Sequence, residues 1–524
     1  MKSIKIIITG LLLIVANIKA KPQQPQIIPL PQQYTAVPQT FVLSKNTALV
    51  VEDKLFSEES FFLQKEILSR KAIPVSRKPA PGATTIRLRK NNKQVQQGAY
   101  SISMSASEVV ISAAEEEGIF NGIISFLQLV SVNEARNGSI LVNCWNIGDF
   151  PKYAWRGLMI DESRHFFGIE KIKSVLDWMA FYKLNRFHWH LTDEPAWRIE
   201  IKKYPMLALV GGIGSHTDSA TVAKFYTQQQ IKEVVAYAAE RKIVVIPEID
   251  MPGHARAANR AYPQFSGGGS EKYPDFTFDP GNPQTYQYLT DILREVDVLF
   301  PAKMIHLGGD EVSFGNEKWS SNAGVKKLMS QHRLKNLKDV EQYFMQRMAD
   351  SLFRMNIKFL AWDEMANVKL PSDKTIIFWW RHDQKKDLQA ALDNNYSVVL
   401  CPRIPFYFDF VQDSTHAVGR KWKNTYAALK DVYAFDLNEY VDKKQQQHVL
   451  GIQANVWTET IISNERLEYM MYPRISALAE AGWSATKDYD SFLKRLAPHL
   501  SLFQKSRIYY FDVFSPGRLS EPRM

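Results

Sequence analysis

Met304-Ile-His-Leu-Gly-Gly-Asp310-Glu311 is the stretch around which the rest of the chain is organised. Four mainly apolar residues read as a short buried strand, two glycines allow a sharp backbone turn, and two adjacent carboxylates follow. Adjacent acids at the C-terminal end of a strand repel each other and gain nothing from packing. A helix N-terminus is one explanation, because acids are favourable against its dipole. The other is a catalytic pair, with one acid ionised and its neighbour kept protonated by its surroundings.

Outward from that stretch the pattern is strand, loop, helix, repeated from Tyr153 onward. Residues 156–160, 186–190, 243–247, 304–307, 358–361, 375–378, 397–400 and 450–453 read as eight apolar strands. Helical stretches fall at 169–182, 228–241 and 340–355, whereas the helix between the seventh and eighth strands is poorly defined. Strands apolar enough to be buried on both faces, with intervening helices, predict an α/β fold, a (β/α)₈ TIM barrel over residues 150–505. A small α+β domain over 27–148 precedes it, with strands at 47–51, 85–88, 100–104 and 109–112 and helices at 57–69 and 119–129. It holds no catalytic constellation, and its predicted job is support. Residues 21–39, rich in Pro and Gln, read as a weakly ordered lead-in, and 506–524 as a short C-terminal tail.

Polar and aromatic clusters follow every predicted strand. They are Asp161-Glu-Ser-Arg164-His165, His188-Trp-His190-Leu-Thr-Asp193, Asp250-Met-Pro-Gly-His254, Gly309-Asp310-Glu311, Trp362-Asp363-Glu364, Trp379-Trp380-Arg381, Tyr407-Phe-Asp409 and Asn455-Val-Trp457-Thr-Glu459. Caps and turn formers explain any one of these but not eight in succession. They mark the C-terminal rim, where barrel enzymes place their chemistry.

Composition narrows the class. The 524 residues are 45% hydrophobic and 23% charged, as in soluble globular proteins. The net charge of +10 comes from scattered Lys and Arg, with no basic run or nucleic-acid motif, so no nucleic-acid partner is predicted. A basic start, Met1-Lys-Ser-Ile-Lys5, and an apolar run from Ile6 to Val15 read as a cleavable signal peptide over residues 1–20, which predicts a secreted or periplasmic protein. No other stretch is long and apolar enough to span a bilayer. Cys144 and Cys401 are too distant in sequence for spacing to establish a disulfide.

Two chemistries suit the rim. His188 and His190 point to one face of a strand, and Asp193, His254 and Asp310 are available to complete a metal site. Against this, both histidines lie within the strand's end, where packing in the barrel interior is the commoner outcome. Glycoside hydrolysis needs an acid for the leaving oxygen, stabilisation of an oxocarbenium-like centre, aromatic faces and hydroxyl partners. Trp362, Trp380, Trp457, Arg164 and Glu459 supply the last two. Neighbouring acids diverge on an extended backbone, so Asp310 and Glu311 better suit a substrate that brings its own nucleophile.

On these motifs the chain resembles family 20 glycoside hydrolases, the β-N-acetylhexosaminidases. The similarity runs from about Ile27 to Pro498 and rests most on the segments ending at His165, Asp193, His254, Glu311 and Glu459. The resemblance implies exo-acting, retaining, substrate-assisted removal of terminal β-linked GlcNAc or GalNAc from a glycan or glycoconjugate. It implies no cofactor and no metal. Asp310 orients the 2-acetamido group and carries its counter-charge, Glu311 is the acid and then the base, and Asp193 with His254 forms a relay to the acid. Tyr407 binds the acetamido carbonyl, Arg164, Asp409 and Glu459 bind sugar hydroxyls, and Trp362, Trp380 and Trp457 wall the pocket. Trp380 is preferred over Trp379 because it directly precedes Arg381. Tyr433 and Phe435 occupy a loop where some relatives have a tryptophan, which predicts a different aglycone side. No appended carbohydrate-binding module is expected after the barrel's last helix. A lacto-N-biosidase-like enzyme and a catalytically silent carbohydrate-binding relative are the alternatives. Natural glycan, GlcNAc-versus-GalNAc preference and oligomeric state stay open.

Overall fold

The computed structural model describes residues 24–523 apart from 422 and 424, so the signal-peptide reading falls outside the described residues. Two units are built in chain order. The first is a six-stranded mixed sheet of β1 (Gln33–Ser44), β2 (Ala48–Val51), β3 (Thr85–Lys90), β4 (Tyr100–Met104), β5 (Glu108–Ala113) and β6 (Ser139–Asp149). Its order is β1-β6-β4-β5-β3-β2, and helices α1 (Ser57–Lys71) and α2 (Glu116–Ser131) complete the unit.

The predicted lead-in is corrected here. Gln33–Gln39 belongs to β1, and β6 is a strand that was not among those expected. The physical reason is position. β1 is an edge strand paired only with β6, largely exposed over its first half, with a register shift between Val37 and Thr40 around Pro38. Edge strands tolerate proline and lack apolar alternation, so they read as irregular chain.

The second unit is the predicted barrel. β7 (Trp155–Asp161), β8 (Arg186–His190), β9 (Val244–Glu248), β12 (Met304–His306), β13 (Lys358–Trp362), β14 (Thr375–Trp379), β15 (Ser397–Leu400) and β16 (Val449–Val456) close on themselves in parallel. A small hairpin, β10 (Ser266–Gly268) and β11 (Thr277–Phe278), is inserted between β9 and β12. Between β15 and β16 only short helical pieces occur, as the sequence suggested.

Helix α2 is buried almost all round because it lies between the sheet and the barrel. Asp149 fastens the two units, accepting from Tyr100 Oη at 2.5 Å and from Trp483 Nε1 at 2.9 Å, and pairing with Lys183 Nζ at 3.3 Å. Such a fully buried pair is tolerated only with its remaining lone pairs satisfied, as they are here. Residues 506–523 pack back onto the barrel: Phe511 N donates to Tyr472 O, and Glu521 pairs with Arg466 at 2.6 Å. Among the described residues, no helix is long and apolar enough to cross a membrane. Cys144 and Cys401 are both buried free thiols.

Candidate active site

The acid pair owes its position to the two glycines before it. Gly308 and Gly309 have φ of +66° and +90°, a region that L side chains rarely adopt. A Cβ at 308 would lie 1.7 Å from Asp250 Oδ1, and one at 309 would lie 2.9 Å from Met365 Cγ. The chain therefore turns tightly against Asp250 and delivers Asp310 almost buried, at 8% exposure. Glu311 follows at φ +53°, left-handed for a non-glycine residue, which is the kind of local strain found at working sites. It makes no side-chain cap bond to the three-residue 3₁₀ turn that follows. The helix-cap explanation of the acids is thereby removed.

Asp193, His254 and the acid pair come together as a chain of contacts. Asp193 Oδ1 lies 3.0 Å from His254 Nδ1, and His254 Nε2 faces Asp310 Oδ2 at 3.6 Å and Glu311 Oε2 at 3.8 Å. Arg164 Nη1 reaches Asp193 Oδ2 at 2.7 Å. The chain continues inward through residues that the sequence did not single out as a unit. His190 Nε2 lies 2.8 Å from Asp193 Oδ2, and His190 Nδ1 lies 2.6 Å from Glu248 Oε2. Glu248 is a hub in the barrel core, also 3.0 Å from both His188 Nε2 and His306 Nδ1, and it accepts from Trp362 Nε1 at 2.9 Å. His188 and His190 are thus interior residues, held by carboxylate rather than carbonyl.

The protonation of these groups follows from burial and neighbours. Burial alone would raise Asp193, but Arg164 and His254 outweigh it and hold its carboxyl well below the usual range. Burial opposes charge on His254, yet Asp193 and Asp310 keep its imidazole protonated well above the ordinary histidine value. Glu311 is raised, first by burial and then by the charge of Glu364, with His254 opposing. Asp310 is pushed up to about 8, again by burial first, with Glu364 and Glu311 adding to it and His254 opposing. Burial thus opposes charge on the Asp310 carboxyl, and the His254 imidazolium 3.6 Å away favours it.

A pocket of about 370 Å³ opens above the acids, walled by Trp362, Trp380, Trp457 and Tyr407, with Arg164, Glu459 and Arg420 at its sides. Trp380 stacks on Tyr407 at 6.1 Å between ring centroids, and its Nε1 donates to Glu364 Oε2 at 3.2 Å. Trp379 points away and packs on Tyr440. Burial keeps the Tyr407 hydroxyl protonated. Asp409 lies beneath the lining rather than in it, fully buried, with Arg420 Nε at 3.7 Å from its Oδ2. Its carboxyl is pushed up to about 7 by burial, against the pull of Arg420. Tyr433 and Phe435 do not reach the pocket. They pack on Phe492 and Phe406 instead.

Several buried polar atoms here have no hydrogen-bond partner within the protein: Asp310 Oδ1, His254 Nε2, both Asp409 oxygens and Glu459 Oε2. Buried polar groups are normally paired, so a cluster of unpaired ones around a pocket is suited to a polar ligand. Arg420, Glu364, Glu248 and Asp250 belong to the site without having been picked out individually. Asp250 and Glu364 stood inside rim clusters, which was signal enough to find them; Arg420 lies in the long β15–β16 connection and carried none.

The candidate metal residues do not converge on one point. His188 gathers with Glu248 and His306, while Asp310 gathers with Asp250 and His254. Imidazole-to-carboxylate contacts account for most of these approaches, and both nitrogens of His190 are used in that way. A larger cavity of about 730 Å³ lies between the first domain and the last barrel helix, lined by Trp145, Asp488 and Arg495, away from the acid pair.

A closed parallel barrel whose rim sets two acids beneath an aromatic-walled pocket has the architecture of (β/α)₈ enzymes, which place their chemistry on that face. The chain matches the catalytic domain of glycosyl hydrolase family 20 over residues 153–486 and domain 2 of the same family over 24–150. It is 34% identical over 501 residues to a beta-hexosaminidase of Porphyromonas gingivalis, covering 90% of this chain and 62% of that one, so it spans under two thirds of that relative's length. It is 28% identical over 487 residues to a beta-N-acetylhexosaminidase of Cellulomonas fimi, covering 89% and 91%. Among solved structures, a GH20 exo beta-N-acetylglucosaminidase of Vibrio harveyi in complex with N-acetylglucosamine superposes with a TM-score of 0.86 at 29% identity, covering 94% of this chain and 79% of that one. The chain belongs to glycosyl hydrolase family 20.

Proposed function

We propose that this protein is an exo-acting, retaining β-N-acetylhexosaminidase that removes terminal β-linked GlcNAc or GalNAc with the substrate's 2-acetamido group as nucleophile. The observation that carries the reading is the set of unpaired buried atoms on Asp310, His254 and Glu459, which line one aromatic-walled pocket, with those of Asp409 beneath it. Its volume of about 370 Å³ is near the lower end of the range for small-molecule sites, which suits a single sugar residue.

In the first step the acetamido oxygen bonds to C1 as the C1–O glycosidic bond breaks, and Glu311 gives its proton to the departing oxygen. Positive charge spreads over the oxazolinium ring, and Asp310 accepts from its N–H and carries the counter-charge. Tyr407 donates to the acetamido oxygen and aligns it for attack. In the second step Glu311, now a carboxylate, takes a proton from water as that water attacks C1 and the ring reopens. Attack from opposite faces in the two steps returns the β anomer. His254, protonated between Asp193 and the acids, stabilises the Glu311 carboxylate between steps.

The basic start and apolar run within residues 1–20 read as a signal peptide, so the setting we propose is secreted or periplasmic. The test is release of 4-nitrophenol from 4-nitrophenyl N-acetyl-β-glucosaminide and its galactosaminide by folded protein. Turnover of at least one, and none of the matching β-glucoside, is the expected result. No turnover of either overturns the reading.

A further inference from the structure

A second groove, of about 570 Å³, opens beside the acid pair and shares Arg164, His254, Glu311, Arg420 and Glu459 with the sugar pocket. Glu311 stands at the junction of the two. On the reading that Glu311 protonates the leaving oxygen, the residue being released lies in this second groove. Part of its wall is aromatic: Tyr273 and Phe314 stack at 5.7 Å and 19°, with Phe314 44% exposed.

The charges of the groove do not balance locally. Its acids are accounted for: Glu194 lies 3.4 Å from His254 Nδ1, and Glu459 lies 2.7 Å from Arg420 Nη2. Glu311 is held toward its neutral form by burial. Arg256 and Arg260 have no carboxylate partner among the described residues. They stand at i and i+4 on the helix Arg256–Ala261, a spacing at which like charges repel. Arg260 is pinned by carbonyls, its Nη2 donating to Gly211 O at 3.0 Å and Ile213 O at 2.7 Å. Those bonds use one nitrogen and leave the rest of the planar fork without a protein partner. Two uncompensated guanidinium groups on the wall of a binding groove suit an anion, and the fork geometry suits a carboxylate.

We propose that this groove selects a leaving-group sugar bearing a carboxylate, which Arg256 and Arg260 neutralise while Tyr273 and Phe314 pack on the sugar's apolar face. The assignment rests on the hexosaminidase reading above, and the test separates the two.

The probes are a matched pair of disaccharides, GlcNAc-β1,4-N-acetylmuramic acid and N,N′-diacetylchitobiose. They share linkage and ring and differ by the lactyl carboxylate on the second residue. At low ionic strength kcat/KM is expected to favour the carboxylate substrate about tenfold, as two partly exposed ion pairs allow, and to lose most of that preference at 0.5 M NaCl. The double variant Arg256→Ala/Arg260→Gln, in which Gln keeps an N–H for the carbonyls, is expected to bring the ratio to about one. Arg256→Lys with Arg260 intact is expected to retain most of it. Equal cleavage of the two probes by the unaltered enzyme overturns the proposal, as does a preference that survives in a folded double variant. A chitobiose sulfated on its second residue, if cleaved better than the carboxylate probe, overturns the assignment of a carboxylate. Loss of all turnover, the nitrophenyl substrate included, is failure of the parent reading instead.

Discussion

Replacing Asp310 by Asn tests the central assignment. The variant keeps an oxygen that accepts the acetamido N–H and removes only the charge. A unit charge about 3 Å from the developing positive charge, at an effective dielectric of about 20, interacts by roughly 5 kcal/mol. The amide dipole of Asn recovers part of that, so a net loss of about 3–4 kcal/mol in the transition state is expected, about 10²–10³ in kcat. KM should change little, since the charge matters once the oxazolinium forms. Stability should move the other way. The Asp310 carboxyl is raised to about 8 in the folded protein, so ionising it opposes folding. For a carboxyl with a raised folded value, stability is greatest below the unfolded value and is lost as pH climbs toward 8. The Asn variant carries no such loss, so its Tm relative to the unaltered protein should rise between pH 5 and pH 9. Initial rates on 4-nitrophenyl N-acetyl-β-glucosaminide and calorimetry across that pH range measure both. A variant within tenfold of the parent kcat refutes the role given to Asp310.

Glu311→Gln should lower kcat on N,N′-diacetylchitobiose by about 10²–10⁴, and far less on a 2,4-dinitrophenyl glycoside, whose leaving group needs no proton. Because burial raises the Glu311 carboxyl, the parent kcat/KM should fall as pH rises through its value, and this alkaline limb should disappear on the dinitrophenyl substrate. Glu248→Gln removes the charge that three imidazoles and an indole face, and should cost about 3 kcal/mol of stability by chemical denaturation. Gly308→Ala forces a methyl group onto the Asp250 carboxylate and should abolish activity even in protein that folds, read by rate and circular dichroism together.

The barrel was legible because its strands are buried on both faces, so that several, such as β14 and β15, read as apolar runs. The limits of β8 and β15 coincide with the runs read from sequence, 186–190 and 397–400. β1 was not legible, since it is an edge strand with a bulge at Pro38, whereas β6 carries the alternation of a half-buried strand and was missed. At the site, Asp310, Glu311, Arg164 and the three pocket tryptophans stood out as polar or aromatic residues just past strand ends. Trp380 lines the pocket and Trp379 does not, because neighbouring residues at a strand end face opposite ways. Glu248 escaped notice because a carboxylate inside a barrel strand has meaning only once His188, His190 and His306 from neighbouring strands surround it. Arg256 and Arg260 read as surface charge until the loops placed them on the wall beside Glu311.

The two adjacent acids can serve different ends because one imidazolium serves both. His254 Nε2 stands 3.6 Å from Asp310 and 3.8 Å from Glu311, and Asp193 behind it keeps the ring charged. When Glu311 gives up its proton it becomes an anion beside that cation. At the same moment the acetamido group turns cationic beside Asp310, whose carboxylate carries the counter-charge. The interaction with Asp310 thus reaches full strength only when the substrate carries its charge. Stabilisation that is weak in the ground state and strong in the transition state raises kcat rather than tightening substrate binding. Burial opposes charge on the Asp310 carboxyl and the His254 imidazolium supports it, so the cationic acetamido group adds the favourable charge at the step that needs it.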